Sequence, residues 1–269
     1  MKDNRFLTRM VSALVVLPIF FGSIFLGHPF LLIFVTLIAM LAIFEFIKLV
    51  KISNVLIQII LIVLAPVILI PSSILSISNN FVTNIFLISA LISGIYIPLF
   101  KLNINNQIKL SLYGFIGLIY ITGAIISGLH IYNNFEISLI IIIMIGIFIT
   151  DTSAFIVGVK LGKHPLAKKI SPNKTIEGSV GSFIVTTLFF TLIYSQNFTI
   201  FTNILTTLIF STVLNISAQF GDIIISTLKR KANVKNTGVI MPGHGGCLDR
   251  IDSILLSLIT INVFLWSSI

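Results

Sequence analysis

Long runs of this chain carry no charged side chain; residues 52–100, for example, include no Asp, Glu, Lys or Arg. Over the whole sequence, 57% of residues are hydrophobic and only 9% are charged. Soluble domains average about 25% charged residues, so this chain has too little polar material to cover a globule. A bilayer suits it better, because a helix of about 20 apolar residues spans the hydrocarbon core. The sequence therefore predicts an all-α, polytopic integral membrane protein.

Hydropathy predicts about nine transmembrane helices. They cover residues 11–27, 30–47, 55–72, 81–100, 110–130, 137–159, 178–195, 199–218 and 251–268. We interpret the first as a retained span rather than a signal peptide, because no clear small-residue cleavage site follows it. The eighth continues toward residue 228 and would include Gln219 and Asp222, so that stretch should face protein or a water-filled cavity.

The basic residues predict the orientation of the spans. All 17 Lys and Arg residues lie before span one or after spans two, four, six and eight. Because basic loops favour the cytoplasmic side, we expect the N-terminus in the cytoplasm and the C-terminus outside. The long cytoplasmic loops are then 160–177 and 229–250, and the net charge of +9 reflects topology and anionic partners, with no nucleic acid.

A first polar cluster covers residues 150–178 and includes Asp151 inside the sixth span. A charge there costs about 2.5–3.5 kcal/mol on insertion scales, which favours a metal ligand or a pathway residue. The alternative is a carboxylate paired with Lys or hydrogen-bonded to Thr or Ser. Ser171 and Lys174 lie in the polar turn SPNKTIEG, which offers hydroxyls, N–H groups and an ammonium to phosphate. Taken alone, that turn favours a simple helix cap with Lys174 in solvent.

A second cluster begins near the end of the eighth span. Asp222 and Ser226 are four residues apart and share one face if the segment is helical. A basic triplet, Lys229, Arg230 and Lys231, follows. Such a triplet is usually a topological anchor or a patch for anionic lipid.

The same cluster ends in MPGHGGCLDRID, residues 241–252. A helix beginning near Leu248 places Asp249 and Asp252 on one face, with Asp249 where a negative charge suits the helix dipole. That capping role is the structural alternative for Asp249, and Arg250 could pair with a carboxylate. His244 lies among glycines, which is typical of a loop residue. A single His with no second His nearby also makes a zinc site improbable.

Together these features predict one site. Four carboxylates, of Asp151, Asp222, Asp249 and Asp252, lie near one membrane face beside two Lys-rich, Gly-containing loops. Hard oxygen ligands favour Mg²⁺, cations neutralise phosphate, and glycines let the backbone approach it. The combination indicates phosphoryl or nucleotidyl transfer to a lipid.

At this point the residues resemble a known family. GDIIISTLKR, Lys235 and MPGHGGCLDRID are similar to the signature of the phosphatidate cytidylyltransferases, also called CDP-diglyceride synthetases, and DTSAF with GKHPLAKKISPNKT resembles their upstream block. The resemblance covers residues 145–255. It implies transfer of CMP from CTP to phosphatidate, giving CDP-diacylglycerol and pyrophosphate. It also implies Mg²⁺ dependence, with room for a second, monovalent cation such as K⁺, and a homodimer in the inner (cytoplasmic) membrane with its active site facing the cytoplasm.

The resemblance also assigns roles to residues. Asp222 and Asp249 are expected to be catalytic and to bind metal, with Asp151 as a third metal residue, and Lys229 and Arg230 to act on phosphate. The expected substrate-binding residues are Ser171, Lys174, Ser226, Lys235, His244, Gly245, Gly246, Arg250 and Asp252. The chain would then divide into N-terminal transmembrane helices, residues 1–135, and a C-terminal catalytic region, residues 136–269.

One position departs from the family pattern, which has Lys-Asp where this chain has Lys235 and Asn236. Asn keeps a carbonyl oxygen but loses the charge, so activity is expected to be weaker if that Asp ligates metal. Two rival functions stay open. A lipid or polyprenol kinase would release a nucleoside diphosphate instead of pyrophosphate, and an ion or solute transporter would also explain carboxylates in the membrane.

Overall fold

The computed structural model of the chain describes residues 18–75, 80–99, 106–196, 201, 203–239 and 245–267. These ranges contain nine helices and one two-stranded hairpin. The helices are α1 (18–26), α2 (His28–Val50), α3 (Val55–Leu75), α4 (Asn80–Leu99), α5 (Gln107–Asn134), α6 (Ile137–Leu161), α7 (Ile176–Ser195), α8 (Ile204–Lys231) and α9 (Leu248–Ser267). The all-α class fits the spans, and within the described ranges the hairpin is the only sheet.

Among the described residues, six helices are long and apolar enough to cross a membrane, namely α2, α3, α5, α6, α7 and α8. They match six of the predicted spans. Helices α4 and α9 coincide with the predicted spans 81–100 and 251–268. Helix α1 coincides with the part of the first predicted span, 11–27, that the structure describes. The total of nine spans, their orientation and the division at residue 135 stay predictions.

The hairpin replaces the polar turn expected in loop 160–177. Strands β1 (Pro165–Ala167) and β2 (Ser171–Thr175) pair antiparallel between α6 and α7. Thr175 ends the hairpin and caps α7, because its hydroxyl accepts a hydrogen bond from the Gly178 N–H at 3.1 Å. The helix cap predicted for this segment is therefore present, and it belongs to Thr175.

Two buried apolar clusters hold the helices together. One joins α2–α5 to α8 and α9 and includes Phe46, Tyr120 and Leu248. The other joins α6 to α7, α8 and α9, with Phe190 and Phe210 edge to face at a centroid separation of 5.1 Å. Because α8 and α9 contribute to both clusters, the polar ends of these two helices are held firmly in place.

Candidate functional site

A cavity of about 390 Å³ lies where α6, α8, α9 and strand β2 meet. It combines four carboxylates, three cationic side chains and an apolar border. Its lining consists of Asp151, Ala154, Phe155, Ser171, Asn173, Lys174, Thr175, Gly178, Ser179, Gln219, Asp222, Lys229, Asn236, Asp249, Arg250 and Asp252. The two polar clusters of the sequence therefore meet in one place.

Strand β2 brings Lys174 to helix α8. The Lys174 ammonium lies 2.7 Å from Oδ2 of Asp222, and the two side chains are 24% and 28% exposed. The other oxygen of Asp222 accepts a hydrogen bond from the Ser226 hydroxyl at 2.9 Å, which confirms the predicted shared helical face. Lys174 is thus an ion-pair partner rather than a lysine directed into solvent.

Helices α8 and α9 meet through a second ion pair. The Lys229 ammonium lies 2.7 Å from Oδ1 of Asp249 and 4.0 Å from Oδ2 of Asp252. Lys229 and Asp249 are only 11% and 7% exposed. This cation therefore neutralises two carboxylates at a point from which water is largely excluded.

Asp249 lies in the first turn of α9, as predicted. Its Oδ2 accepts hydrogen bonds from the N–H groups of Thr237 at 2.8 Å and Gly246 at 3.0 Å. Gly245 adopts a positive φ of 88°, and a Cβ there would approach Oδ2 of Asp249 to 2.6 Å. The glycines before α9 thus close around this carboxylate, and Asp249 organises its own loop as well as facing the cavity.

Asp151 has the hydrogen-bonded partner that the alternative reading expected, while its role as a metal ligand or pathway residue stays a prediction. Its Oδ2 accepts a hydrogen bond from the Ser253 hydroxyl at 2.8 Å, so it has a Ser partner. It also lines the cavity beside the Lys174–Asp222 pair. The helix α6 carboxylate therefore belongs to the site and is anchored to α9.

Several predicted site residues lie elsewhere. The exposed Arg230 guanidinium donates hydrogen bonds to the carbonyl oxygens of Ile170 at 2.9 Å and Val234 at 3.3 Å, so it braces the hairpin instead of lining the cavity. Lys235 is exposed. Asp249 is contacted by Gly245 and Gly246, and Asp222 by Ser226; none of these three residues lines the cavity itself. His244 lies outside the described residues.

Sequence reasoning missed one carboxylate, that of Glu45 in α2. It is 1% exposed and accepts hydrogen bonds from Thr237, Cys247 and Leu248. A signal was available, because Glu45 is a charged residue inside the predicted span 30–47 and intramembrane carboxylates are costly. The same argument singled out Asp151.

The described ranges contain no group of three or more His, Cys, Asp and Glu side chains spaced to hold a metal ion by themselves. The carboxylates Asp222 and Asp249 each hold a lysine ammonium instead. The geometry offers a cavity of paired charges, in which two lysine ammonium groups lie against carboxylates.

Comparisons with known proteins agree with this geometry. The model of the cytidylyltransferase family matches residues 7–268. A Staphylococcus haemolyticus protein named phosphatidate cytidylyltransferase is 31% identical over 268 residues, covering 96% of this chain and 98% of that protein. Proteins of the same name from Staphylococcus epidermidis and Staphylococcus aureus are 42% identical over 119 residues and 39% over 123, covering 44% and 45% of this chain and 45% and 46% of their own lengths. The chain therefore belongs to the cytidylyltransferase family.

Proposed function

We propose that this protein is a phosphatidate cytidylyltransferase, which transfers CMP from CTP to phosphatidate and releases pyrophosphate, forming CDP-diacylglycerol for phospholipid synthesis. The observation that carries the proposal is the cavity joining Lys174–Asp222 to Lys229–Asp249. Two ammonium groups in one partly buried cavity suit a triphosphate and a phosphate monoester. Relatives that are 31% and 42% identical to this chain over the aligned residues carry the name phosphatidate cytidylyltransferase.

The reaction is an in-line displacement at phosphorus. A phosphate oxygen of phosphatidate forms a bond to the α-phosphorus of CTP, the bond to the bridging oxygen breaks, and pyrophosphate leaves with that electron pair. The attacking monoester is already anionic, so no strong general base is required. Positioning and charge neutralisation then account for most of the acceleration.

The lysines of the cavity supply the neutralising charge. Lys174, held on strand β2, and Lys229, held on α8, are fixed by carboxylates before substrate arrives. Preorganised cations near a developing charge act most strongly where water is excluded, as at Lys229. Arg250, which also lines the cavity, adds a third cation.

A Mg²⁺ ion belongs to this proposal, and the donor set suits it. Mg²⁺ commonly takes one or two protein carboxylates together with substrate phosphates and water, so a cage of three carboxylates is not required. Asp222 and Asp249 would hold the ion, with Asp151 and Asp252 on the same cavity wall. The ion would neutralise phosphate charge, and K⁺ is proposed as a second, monovalent cation.

The cavity also offers a place for the lipid. Phe155 borders it from α6 and is 71% exposed, so an apolar edge lies next to the charged lining. The acyl chains of phosphatidate would stay on this lipid-facing side while the phosphate enters the cavity. CTP would approach past the hairpin.

The proposed topology places this cavity at the cytoplasmic face of the inner membrane. The C-terminal ends of α2 and α8 meet the N-terminal end of α9 there, through Glu45, Lys229 and Asp249. That meeting point agrees with nine alternating spans and a cytoplasmic N-terminus. A homodimer is also part of the proposal because the family resemblance implies it, and mass measurement in nanodiscs would test it.

One assay decides the central claim. Purified protein in detergent would receive phosphatidate, Mg²⁺ and labelled CTP. We expect a labelled CDP-lipid and an equal amount of pyrophosphate. Release of CDP with phosphorylation of a lipid would instead support the kinase alternative, and solute uptake into proteoliposomes without CTP would support the transporter.

A further inference from the structure

Glu45 brings a carboxylate from the N-terminal part of the chain to the loop before α9, of which the structure describes residues 232–239 and 245–247. Its Oε1 accepts a hydrogen bond from the Cys247 N–H at 2.9 Å, and its Oε2 accepts one from the Leu248 N–H at 2.9 Å. The first N–H groups of a helix have no partner within that helix, and a negative charge there interacts favourably with the positive end of the helix dipole. Glu45 therefore caps α9 from a separate helix.

The same carboxylate is linked to the cavity through one hydroxyl. Oγ1 of Thr237 lies 2.7 Å from Oε2 of Glu45 and 3.1 Å from Oδ2 of Asp249, toward both of which it can donate. Asp249 in turn holds Lys229 at 2.7 Å. A chain of three contacts thus connects a buried residue of α2 to a cation of the cavity.

The loop is shaped to receive this carboxylate. A Cβ added to Gly246 would overlap Oε2 of Glu45 and the Thr237 hydroxyl, and one added to Gly238 would lie 2.5 Å from Oε1 of Glu45. The backbone at Gly238 and the backbone at Gly246 therefore both pack directly against Glu45. Because the enclosed Glu45 carboxylate accepts three hydrogen bonds, from Thr237, Cys247 and Leu248, it fixes the position of these residues.

We infer that Glu45 is a positioning residue for the transfer: it seats the loop before α9 and so sets the place of Asp249 and Lys229. The inference rests on the proposed function. Glu45 is a described residue that does not line the cavity, so it acts through Thr237 and the start of α9 rather than on substrate.

The first test is Glu45→Gln. The variant keeps the size of the side chain but places an NH₂ donor among N–H groups that need acceptors. We expect kcat to fall by about 10- to 100-fold, as for partners that orient functional ligands. KM for CTP should change less than kcat, because Lys174 is held on the hairpin by Asp222 rather than by the loop before α9. A fall that appears only in the yield of folded protein, with kcat unchanged, would overturn the inference.

The second readout does not depend on activity. Cys247 is the single cysteine of the chain, is buried, and donates its N–H to Glu45. Maleimide should label it slowly near neutral pH in the wild-type protein and at least about 10-fold faster in Glu45→Gln, since reactivity follows exposure and thiolate content. Equal rates would show that Glu45 does not hold the loop.

Two matched controls separate positioning from general damage. Glu136→Gln removes an exposed carboxylate at the start of α6 and should change neither readout. Asn262→Leu removes the buried hydrogen bond to His130 at 2.9 Å between α5 and α9, away from the cavity. It should lower thermal stability without faster labelling or a loss of kcat in the folded fraction. If Asn262→Leu matched Glu45→Gln in both readouts, positioning would be refuted.

Variants of Thr237 test the inference independently, in case the Glu45→Gln protein does not fold. Thr237→Val deletes the hydroxyl that links Glu45 to Asp249, whereas Thr237→Ser keeps it. We expect the Val variant to lose kcat and the Ser variant to retain it; equal activity would overturn the inference. An inactive wild-type protein would instead refute the proposed function, while the labelling ratio would still decide whether Glu45 seats the loop.

Discussion

The Lys174 ammonium lies 2.7 Å from Oδ2 of Asp222, so a strand of the hairpin is joined to helix α8 by a half-buried ion pair. All of helix α7 lies between these two residues in the chain. Their pairing makes the hairpin a wall of the cavity. It also means that the Lys174 ammonium, which we propose neutralises phosphate, is already in place before substrate binds.

Replacing Lys174 by Met should remove that cation and leave Asp222 without its ion-pair partner. We expect kcat/KM for CTP to fall by about 10²- to 10³-fold, the usual loss for one electrostatic donor. Lys168→Met is the matched control, because Lys168 is an exposed lysine in the turn of the same hairpin. A similar loss in both variants would mean that only the net charge of the hairpin matters. Initial rates at varied CTP would distinguish these cases.

Asp249→Ala and Asp222→Ala should both reduce activity but differ in stability. Asp249 is 7% exposed and pairs with the buried Lys229, so its loss leaves that ammonium with only the more distant Asp252 carboxylate, at 4.0 Å. Breaking a buried pair costs about 3–5 kcal/mol of unfolding free energy. The Asp222 side chain is 28% exposed, so solvent should screen much of the change there. Denaturant unfolding in detergent would measure both, and equal losses would contradict this account.

Gly246→Ala should abolish activity and lower the yield of folded protein, because a Cβ there overlaps Glu45 and Thr237. Gly22→Ala is the matched control, since a Cβ at Gly22 meets nothing within 4 Å. In a helix that change should even be mildly stabilising, by about 0.5–1 kcal/mol. Activity per folded molecule and melting temperature would test the pair. A fully active Gly246→Ala protein would show that the loop can move away from Glu45.

Asn236→Asp should strengthen the proposed Mg²⁺ site. Asn236 lines the cavity where the family pattern has Asp, and a carboxylate there would add one hard anionic ligand next to Asp249. We expect the Mg²⁺ concentration for half-maximal activity to fall by about 10-fold, since affinity follows ligand charge. An Mg²⁺ titration of both proteins would measure it. A weaker Mg²⁺ response in the variant would mean that the charge balance of this cavity is built around Asn.

Local features of the sequence were sufficient for much of this picture. Apolar runs predicted nine spans, and six of these coincide with described helices that are long and apolar enough to cross a membrane. The spacing of Asp222 and Ser226 predicted that they share a helical face, and the position of Asp249 predicted its place in the first turn of α9. The roles of the site residues, the cofactors and the orientation in the membrane stay predictions.

Arg230 shows where local reasoning stops. The motif placed it beside Lys229 as a phosphate ligand, yet adjacent residues on a helix point in different directions. Its guanidinium bonds to the carbonyl oxygen of Ile170, whereas Lys229 lies against Asp249. Which of two neighbouring cations enters the cavity depends on the helices packed around α8.

The sequence by itself determined the membrane-embedded class, the helical segments and the family motif, because hydropathy and short-range spacing are properties of neighbouring residues. Only the tertiary structure decided that Glu45 caps α9 and that Lys174 reaches Asp222. Those contacts join residues far apart in the chain, and no local pattern encodes them. They form because a buried carboxylate must find donors, and the packing of α2, α8 and α9 places those donors within reach.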